Sequence, residues 1–233
     1  MFNLDPPPGF RGLDPDRPVR IYSRNLPHWR QDGATYFVTF NLADALPGAK
    51  KNELKAMRRE WEYRHPPPRD ETTWTAYART VFAKAEKWMD SGYGRCWFRR
   101  PKYAAELKRA ILHFHDRRYE IGCFVIMANH CHLVIRPFDS CELENEVGSM
   151  KSVTSQFINR AEALGGDLWQ QESYDRIIRD EEHLYRVVQY VGTNPRRAGL
   201  PRNTGRGPML PESWCRWINP EWKTLGWDFH DQQ

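Results

Sequence analysis

The sequence predicts an α+β fold, a split βαβ sheet of the ferredoxin-like plan with helices packed on it and a helical insertion. Three observations carry this prediction. β-branched and aromatic runs occur at Thr35 to Leu42, at about 120–127 and 130–136, and at Tyr174 to Arg179, the composition of half-buried strands. Apolar stripes at helical spacing stand between them. The order that results, strand, helix, two strands, helix, strand, is that of the split βαβ plan.

The elements follow in chain order, and all of 1–233 is read as one domain. Residues 1–25 carry several prolines and alternate Arg with Asp, so an irregular N-terminal segment is expected. TYFVTFNL is the first core strand. A helical insertion occupies 44–98: Leu54, Met57 and Trp61 form a stripe stopped by Pro66 to Pro68, and Trp74, Tyr77, Val81, Trp88 and Met89 form a second before Gly92 and Gly94. These stripes hold packing residues and no chemistry-bearing block, so the segment, at least over 44–90, is expected to lie outside the reaction. Pro101 suits the first turn of the next helix, with Ala104, Leu107, Ile111 and Phe114 facing inward. The following two strands are close enough for a hairpin turning near Ala128-Asn129. A further helix carries Leu143, Val147, Met150, Phe157, Ala161 and Leu164 and is ended by Gly165-Gly166. The last helix runs from about Glu181 to Thr193, and 201–233, rich in Gly, Pro and Trp, is expected to be an irregular tail.

Composition narrows the function classes. The chain has 35 basic and 30 acidic residues in 233, a net charge of +5 and a pI near 9.0, compatible with a polyanionic partner. Its five cysteines are odd in number and show no C-x-x-C spacing, which disfavours a disulfide framework and a structural zinc site. The start, MFNLDPPPGF, lacks a charged and then apolar leader. No run approaches the ~18 apolar residues of a membrane span. A soluble, cytoplasmic protein with no membrane partner is expected.

The chemistry-bearing stretch is Cys123 to Arg136, CFVIMANHCHLVIR. Side chains alternate along a strand, so His130 and His132 share one face and Cys131 takes the other. Two imidazoles on one face make half a metal site; the alternative is two histidines satisfied by neighbours within a half-buried sheet. In the last helix Leu184, Val187, Val188 and Val191 define the buried stripe, and Tyr190 falls to one side of it with Asn194 beside it. Tyr190 is a candidate nucleophile on this ground, against amphipathic surface as the plain reading. Pro195 follows Asn194, and a residue before proline often ends a helix, so Asn194 is read as either a cap or a metal ligand. Tyr174 and Tyr185 are rival tyrosines with packing as the plainer role, and His183 shares the flank of Tyr190.

These stretches together resemble the REP-associated tyrosine transposases, within the single-tyrosine histidine-hydrophobic-histidine (HUH) transposases. The resemblance runs from about Leu26 to Leu200 through LPHW, TYFVTFNLAD, HFHDRRYEIGCFVIMANHCHLVI, LWQQESYDRIIRDEEHL and QYVGTNPRRAGL. Ala128 stands where that family usually has proline, and Cys131 fills the variable middle position; neither change removes a ligand. The resemblance implies the HUH nuclease fold, with His130 and His132 holding a divalent metal, Mg2+ or Mn2+. It implies Tyr190 as nucleophile, because the reactive tyrosine precedes an Asn-Pro turn and a small-Gly-Leu segment, here Ala198-Gly199-Leu200. Related transposases place a polar ligand four residues after that tyrosine, the position of Asn194.

The function implied is a transposase-type, metal-dependent single-strand DNA endonuclease and strand-transferase, acting on palindromic hairpin DNA through a 5′-phosphotyrosine. Single-stranded or hairpin DNA is the expected partner, with the protein a monomer or homodimer. Arg117, Arg118, Lys151, Arg160, Arg176, Arg179, Arg196 and Arg197 flank these elements and are candidates for a phosphate track. A non-catalytic DNA-binding protein or repressor that keeps the fold is the alternative. A rolling-circle initiator or relaxase would share the histidines, but the NPRRAGL segment argues against it.

Overall fold

In the computed structural model, which describes residues 4–24, 27–199 and 215–230, the chain forms a two-stranded ribbon and a five-stranded sheet. The ribbon pairs β1 (Arg20–Ser23) with β2 (Pro27–Arg30). The sheet is built from β3 (Tyr36–Asn41), β4 (Tyr119–Ile126), β5 (His130–Pro137), β6 (Tyr174–Ile177) and β7 (Cys215–Ile218). Its order is β6-β3-β5-β4-β7, antiparallel throughout. The first four strands in that order are the split βαβ plan read from the sequence, and β7 extends it beyond β4.

Helices α1 (Gly48–Arg64) and α2 (Glu71–Asp90) fill the predicted insertion, with the Asp70 side chain accepting from the Thr73 backbone N–H to start α2. Then come α3 (Pro101–Leu112), α4 (Leu143–Ala161), α5 (Glu181–Arg197) and α6 (Pro220–Thr224). Among the described residues no helix is long and apolar enough to cross a membrane.

Alternation along the strands sorts the core into two halves. Val38, Phe40, Cys131, Leu133 and Ile135 face α3 and α4, which contribute Leu107, Ile111, Val147, Met150 and Ile158. Phe37, Cys123, Val125 and Val134 face the opposite way, onto the Leu184, Val187, Val188 and Val191 stripe of α5. Each of those four is at most 1% exposed, so each contributes about 1.5–3 kcal/mol of apolar burial. His130 and His132 alternate with Cys131, and so they lie on the α5 side.

Four boundaries differ from the sequence reading. The N-terminal 1–25 segment contains β1, since the Arg20 to Ser23 backbone finds a partner in β2. Helix α4 stops at Ala161, ahead of Gly165-Gly166, with Ala163 in the left-handed region at φ 51°, and Phe157 on it is exposed at 41%. Helix α5 continues through Asn194 and Pro195 to Arg197; Pro195 removes one helical donor in the last turn only, and the Arg216 guanidinium on β7 donates to the nearby Gly192 carbonyl at 2.8 Å. The 201–233 tail supplies β7 and α6. Trp222 and Trp227 are buried there, and Trp222 Nε1 donates to Glu120 at 3.0 Å. Residues 200–214, with Leu200 of the Ala-Gly-Leu segment and most of the irregular tail, lie outside the described residues.

Candidate active site

The β4–β5 hairpin and α5 bring the histidine strand against the last helix. His130 and His132 are 1% and 0% exposed, and their ring nitrogens are sorted by their partners. Asn129 Nδ2 donates to the carbonyls of Met89 and Tyr93 at 3.2 and 2.9 Å, which turns its Oδ1 toward His130 Nδ1 at 2.8 Å. That oxygen only accepts, so His130 carries its proton on Nδ1 and presents the Nε2 lone pair. His130 Nε2 is buried without a hydrogen-bond partner. His132 Nδ1 lies 2.8 Å from the Thr39 hydroxyl. Its Nε2 faces two donors, Asn194 Nδ2 at 3.1 Å and the Tyr190 hydroxyl at 3.4 Å. Both imidazoles thus present an unprotonated Nε2, the tautomer a metal ligand needs.

Burial keeps them neutral. It lowers the pKa of His130 to about 3 and that of His132 well below the usual range, with His130 and Arg197 adding to the effect at His132. Tyr190 packs edge-on against Phe37 and His132 at ring separations of 5.6 and 5.1 Å, and the Arg197 guanidinium lies 5.0 Å over its ring. The predicted Tyr190, Asn194 and histidine pair are therefore adjacent. Asn194 is not a cap: it sits inside α5, fully buried, with Oδ1 accepting no hydrogen bond.

The insertion, expected to lie outside the reaction, also packs against this site. Glu86 on α2 accepts from Asn194 Nδ2 at 3.5 Å and pairs with Arg197 at 3.6 Å. Asp90, four residues later, places Oδ1 3.8 Å from His130 Nε2. Burial raises both carboxyls, Glu86 to about 7 and Asp90 to about 6, with Arg197 opposing the shift at each. The sequence carried a weak signal for them: Glu86 and Asp90 are four apart on one helical face, a spacing that reads equally as a solvated face. Thr39, Asn129 and Phe82, which stacks on Tyr174 at 4.1 Å, had no signal beyond their strand, turn and helix positions.

The donors suit a divalent ion. Two imidazole nitrogens, an amide oxygen and a carboxylate oxygen are a plausible mixed set, and His130 Nε2, Asn194 Oδ1 and Asp90 Oδ1 are all buried without partners. Among the described residues no three His, Cys, Asp or Glu side chains are already gathered as a metal cluster. Coordination requires the Asn194 amide to turn, because His132 Nε2 cannot accept its N–H and bind an ion with the same lone pair.

Residues 95–194 match the family model described as Transposase IS200 like. That stretch is similar to the IS200-like transposases. It spans His130, His132, Tyr190 and Asn194, and it begins just after Glu86 and Asp90. Among solved structures, a REP-associated tyrosine transposase bound to a REP hairpin is similar, with 16% identity over 80% of this chain and 79% of that one and a TM-score of 0.44. No curated protein matches the chain.

The basic residues predicted to meet DNA divide by face. Arg197 lines an open groove with Glu86, Lys87, Asp90 and Ala198 beside the histidines. Arg176 lies 5.3 Å over the Phe37 ring and, with Arg179 and Arg79, lines a second concavity that also includes His183 and Tyr174. His183 Nδ1 accepts from the Arg179 backbone N–H there, at 3.1 Å. Arg196 is on the exposed face of the last turn of α5. The other four lie elsewhere. Arg117 and Arg118 precede the far end of β4, Arg117 donating to the His113 carbonyl and Arg118 pairing with Glu146 at 2.6 Å. Arg160 and Lys151 are on α4, across the sheet, and Lys151 Nζ is held by the Gln170 and Gln171 carbonyls at 2.6 and 3.0 Å.

Proposed function

We propose that this protein is a transposase-type single-strand DNA endonuclease and strand-transferase, dependent on Mg2+ or Mn2+, that works through a 5′-phosphotyrosine at Tyr190. One observation carries the reading: the Tyr190 hydroxyl lies 3.4 Å from Nε2 of His132, the imidazole that Asn194 also contacts at 3.1 Å. A nucleophile beside metal-binding groups is the arrangement phosphodiester transesterification needs.

His130, His132 and Asn194 hold the ion, which when bound supplies Lewis-acid polarisation of a scissile phosphate oxygen. Tyr190 Oη loses its proton and attacks phosphorus in line. The bond from phosphorus to the 3′ oxygen breaks, and that oxygen leaves as a protonated 3′-OH while the 5′ phosphate stays on the tyrosine. A 3′-OH can reverse the attack and rejoin strands with no nucleotide cofactor, because the phosphotyrosyl ester keeps the energy of the bond it replaced. Arg197, over the Tyr190 ring and half-exposed, is placed to hold the phosphate being attacked. Arg176 and Arg179 are placed to hold backbone further along the strand, giving position without sequence readout.

The resemblance in the histidine strand and the QYVGTNPRRAGL segment points to palindromic hairpin DNA as substrate. The test is incubation of end-labelled single-stranded hairpins with protein and Mn2+, followed by denaturing electrophoresis and peptide mapping. A covalent adduct on Tyr190 is expected. Hairpin binding without any adduct, across several hairpins, would instead make the protein a DNA binder.

A further inference from the structure

We infer that the insertion helix α2 completes the metal centre, with the Asp90 carboxylate joining His130, His132 and Asn194 as a ligand; this rests on the metal-dependent reading above. His130 Nε2 and Asp90 Oδ1 face each other at 3.8 Å, too far for a hydrogen bond, and neither has another hydrogen-bond partner. Buried polar atoms left unsatisfied keep their full desolvation penalty, so a ligand that satisfies both is favoured. A divalent ion held by both would satisfy the two atoms at once, and the carboxylate, at the edge of the site, would supply its oxygen.

The location of Asp90 is built, not incidental. Asp90 ends α2, and the Asn129 amide grips that end through the Met89 and Tyr93 carbonyls on either side of it. The same Asn129 orients the His130 ring through Oδ1 at 2.8 Å. One side chain thus sets both the carboxylate's helix and the imidazole it faces. The Asp90 side chain is 15% exposed, so it opens to the groove at the edge of the site. Charge supports the arrangement: two imidazoles and an amide leave a divalent ion uncompensated, and Asp90 adds an anionic oxygen.

The test is Mn2+ binding by the full-length protein without DNA, read by titration calorimetry and by the electron paramagnetic resonance of the bound ion. Asp90→Asn keeps the shape and removes the anion, and should weaken Mn2+ binding at least about tenfold, the scale reached even by changes behind metal ligands. Asp90→Cys should also lose Mn2+ affinity but gain affinity for Cd2+, a softer ion. The resulting thiolate-to-cadmium ultraviolet absorption should vanish when His130→Ala is added, a response a merely structural role for Asp90 does not produce. Asp90→Cys carries the test if Asp90→Asn fails to fold. Asp90→Asn binding Mn2+ as tightly as wild type, while His130→Ala weakens it, would overturn the inference and leave the nuclease reading intact. A wild type that binds Mn2+ but forms no Tyr190 adduct would remove the nuclease reading, with the ligand role of Asp90 still decided by the affinities.

Discussion

Replacing Tyr190 with phenylalanine removes one oxygen from a side chain whose ring is already held in place. Its ring contacts with Phe37, His132 and Arg197 do not use the hydroxyl. The hydroxyl's bond to His132 Nε2 is long, 3.4 Å, so its net worth falls at the low end of the ~0.5–1.5 kcal/mol range. For a chain of this size 1 kcal/mol moves Tm by about 2–4 °C, and Tyr190→Phe should therefore lower Tm by no more than about 2 °C. Its chemical effect should be total. Covalent adduct with a labelled hairpin and Mn2+ should disappear, while the Kd for the same hairpin without metal stays within about twofold, a change of under ~0.5 kcal/mol. Tyr174→Phe and Tyr185→Phe should keep the adduct: Tyr174 stacks on Phe82, and Tyr185 meets Trp227 and His230 away from the histidines. Adduct formation by Tyr190→Phe, or mapping of the wild-type adduct to another tyrosine, would refute the assignment. A Tm loss above about 5 °C would refute the packing argument instead.

Three further outcomes are expected. Saturating Mn2+ at about 100 times its Kd should stabilise the wild type by about 2.7 kcal/mol, seen as a rise of several degrees in Tm, and neither His130→Ala nor His132→Ala should show it; an equal rise in both variants would place the ion elsewhere. His28 has Asp175 at 2.7 Å and Glu172 at 2.8 Å; burial pushes its pKa down, but these two hydrogen bonds more than reverse it and hold it at about 9. A histidine raised above its ordinary 6.5 contributes stability that is complete below that pH and lost as pH rises through about 9. The urea midpoint should fall over that window in the wild type and much less in His28→Gln, and parallel falls would clear His28. Gly122→Ala puts a Cβ 2.2 Å from the Trp222 ring, a rigid neighbour, so it should cost about 1–3 kcal/mol and expose Trp222 to fluorescence quenchers; unchanged quenching would mean the ring yields at no cost.

The sheet was legible because period-two alternation is a local signal. Val38 and Phe40 on one face, Phe37 and Thr39 on the other, need no tertiary information to sort. The position of Tyr190 beside the histidines was legible for a similar reason, since the stripe Leu184, Val187, Val188, Val191 fixes which flank of α5 is left over; its role as nucleophile came from the resemblance. What escaped depends on partners far along the chain. Strand β7 is four residues that bond only because the edge of β4 is open to them, and its pattern, CRWI, is too short to read. Continuation of α5 through Pro195 is likewise a tertiary result, since burial of Asn194 and Pro195 overrides the local preference of a residue before proline. Glu86 and Asp90 were hidden by the opposite problem. Charged residues four apart on a helix are nearly always solvent-facing, and only the approach of α2 to the β4–β5 turn buries them.

That burial is hard to explain as a device for stability. A buried carboxylate oxygen without a donor, a buried imidazole nitrogen without a proton to accept and a buried amide oxygen without an N–H each cost about 1–3 kcal/mol; Asp90 Oδ1, His130 Nε2 and Asn194 Oδ1 are such atoms, the first two 3.8 Å apart. A folded domain selected for stability alone would have filled the space with apolar groups, as the other half of the same sheet does with Cys131, Leu133 and Ile135. Here Asn129 holds the His130 ring from behind at 2.8 Å and Thr39 the His132 ring at 2.8 Å. On the metal-dependent reading proposed above, stability given up at such a point would be recovered when a cation binds the folded state. The insertion, which by its stripes looked like packing, would then have a reason to be where it is: α2 sets Asp90 3.8 Å from His130 Nε2 and Glu86 3.5 Å from the Asn194 amide.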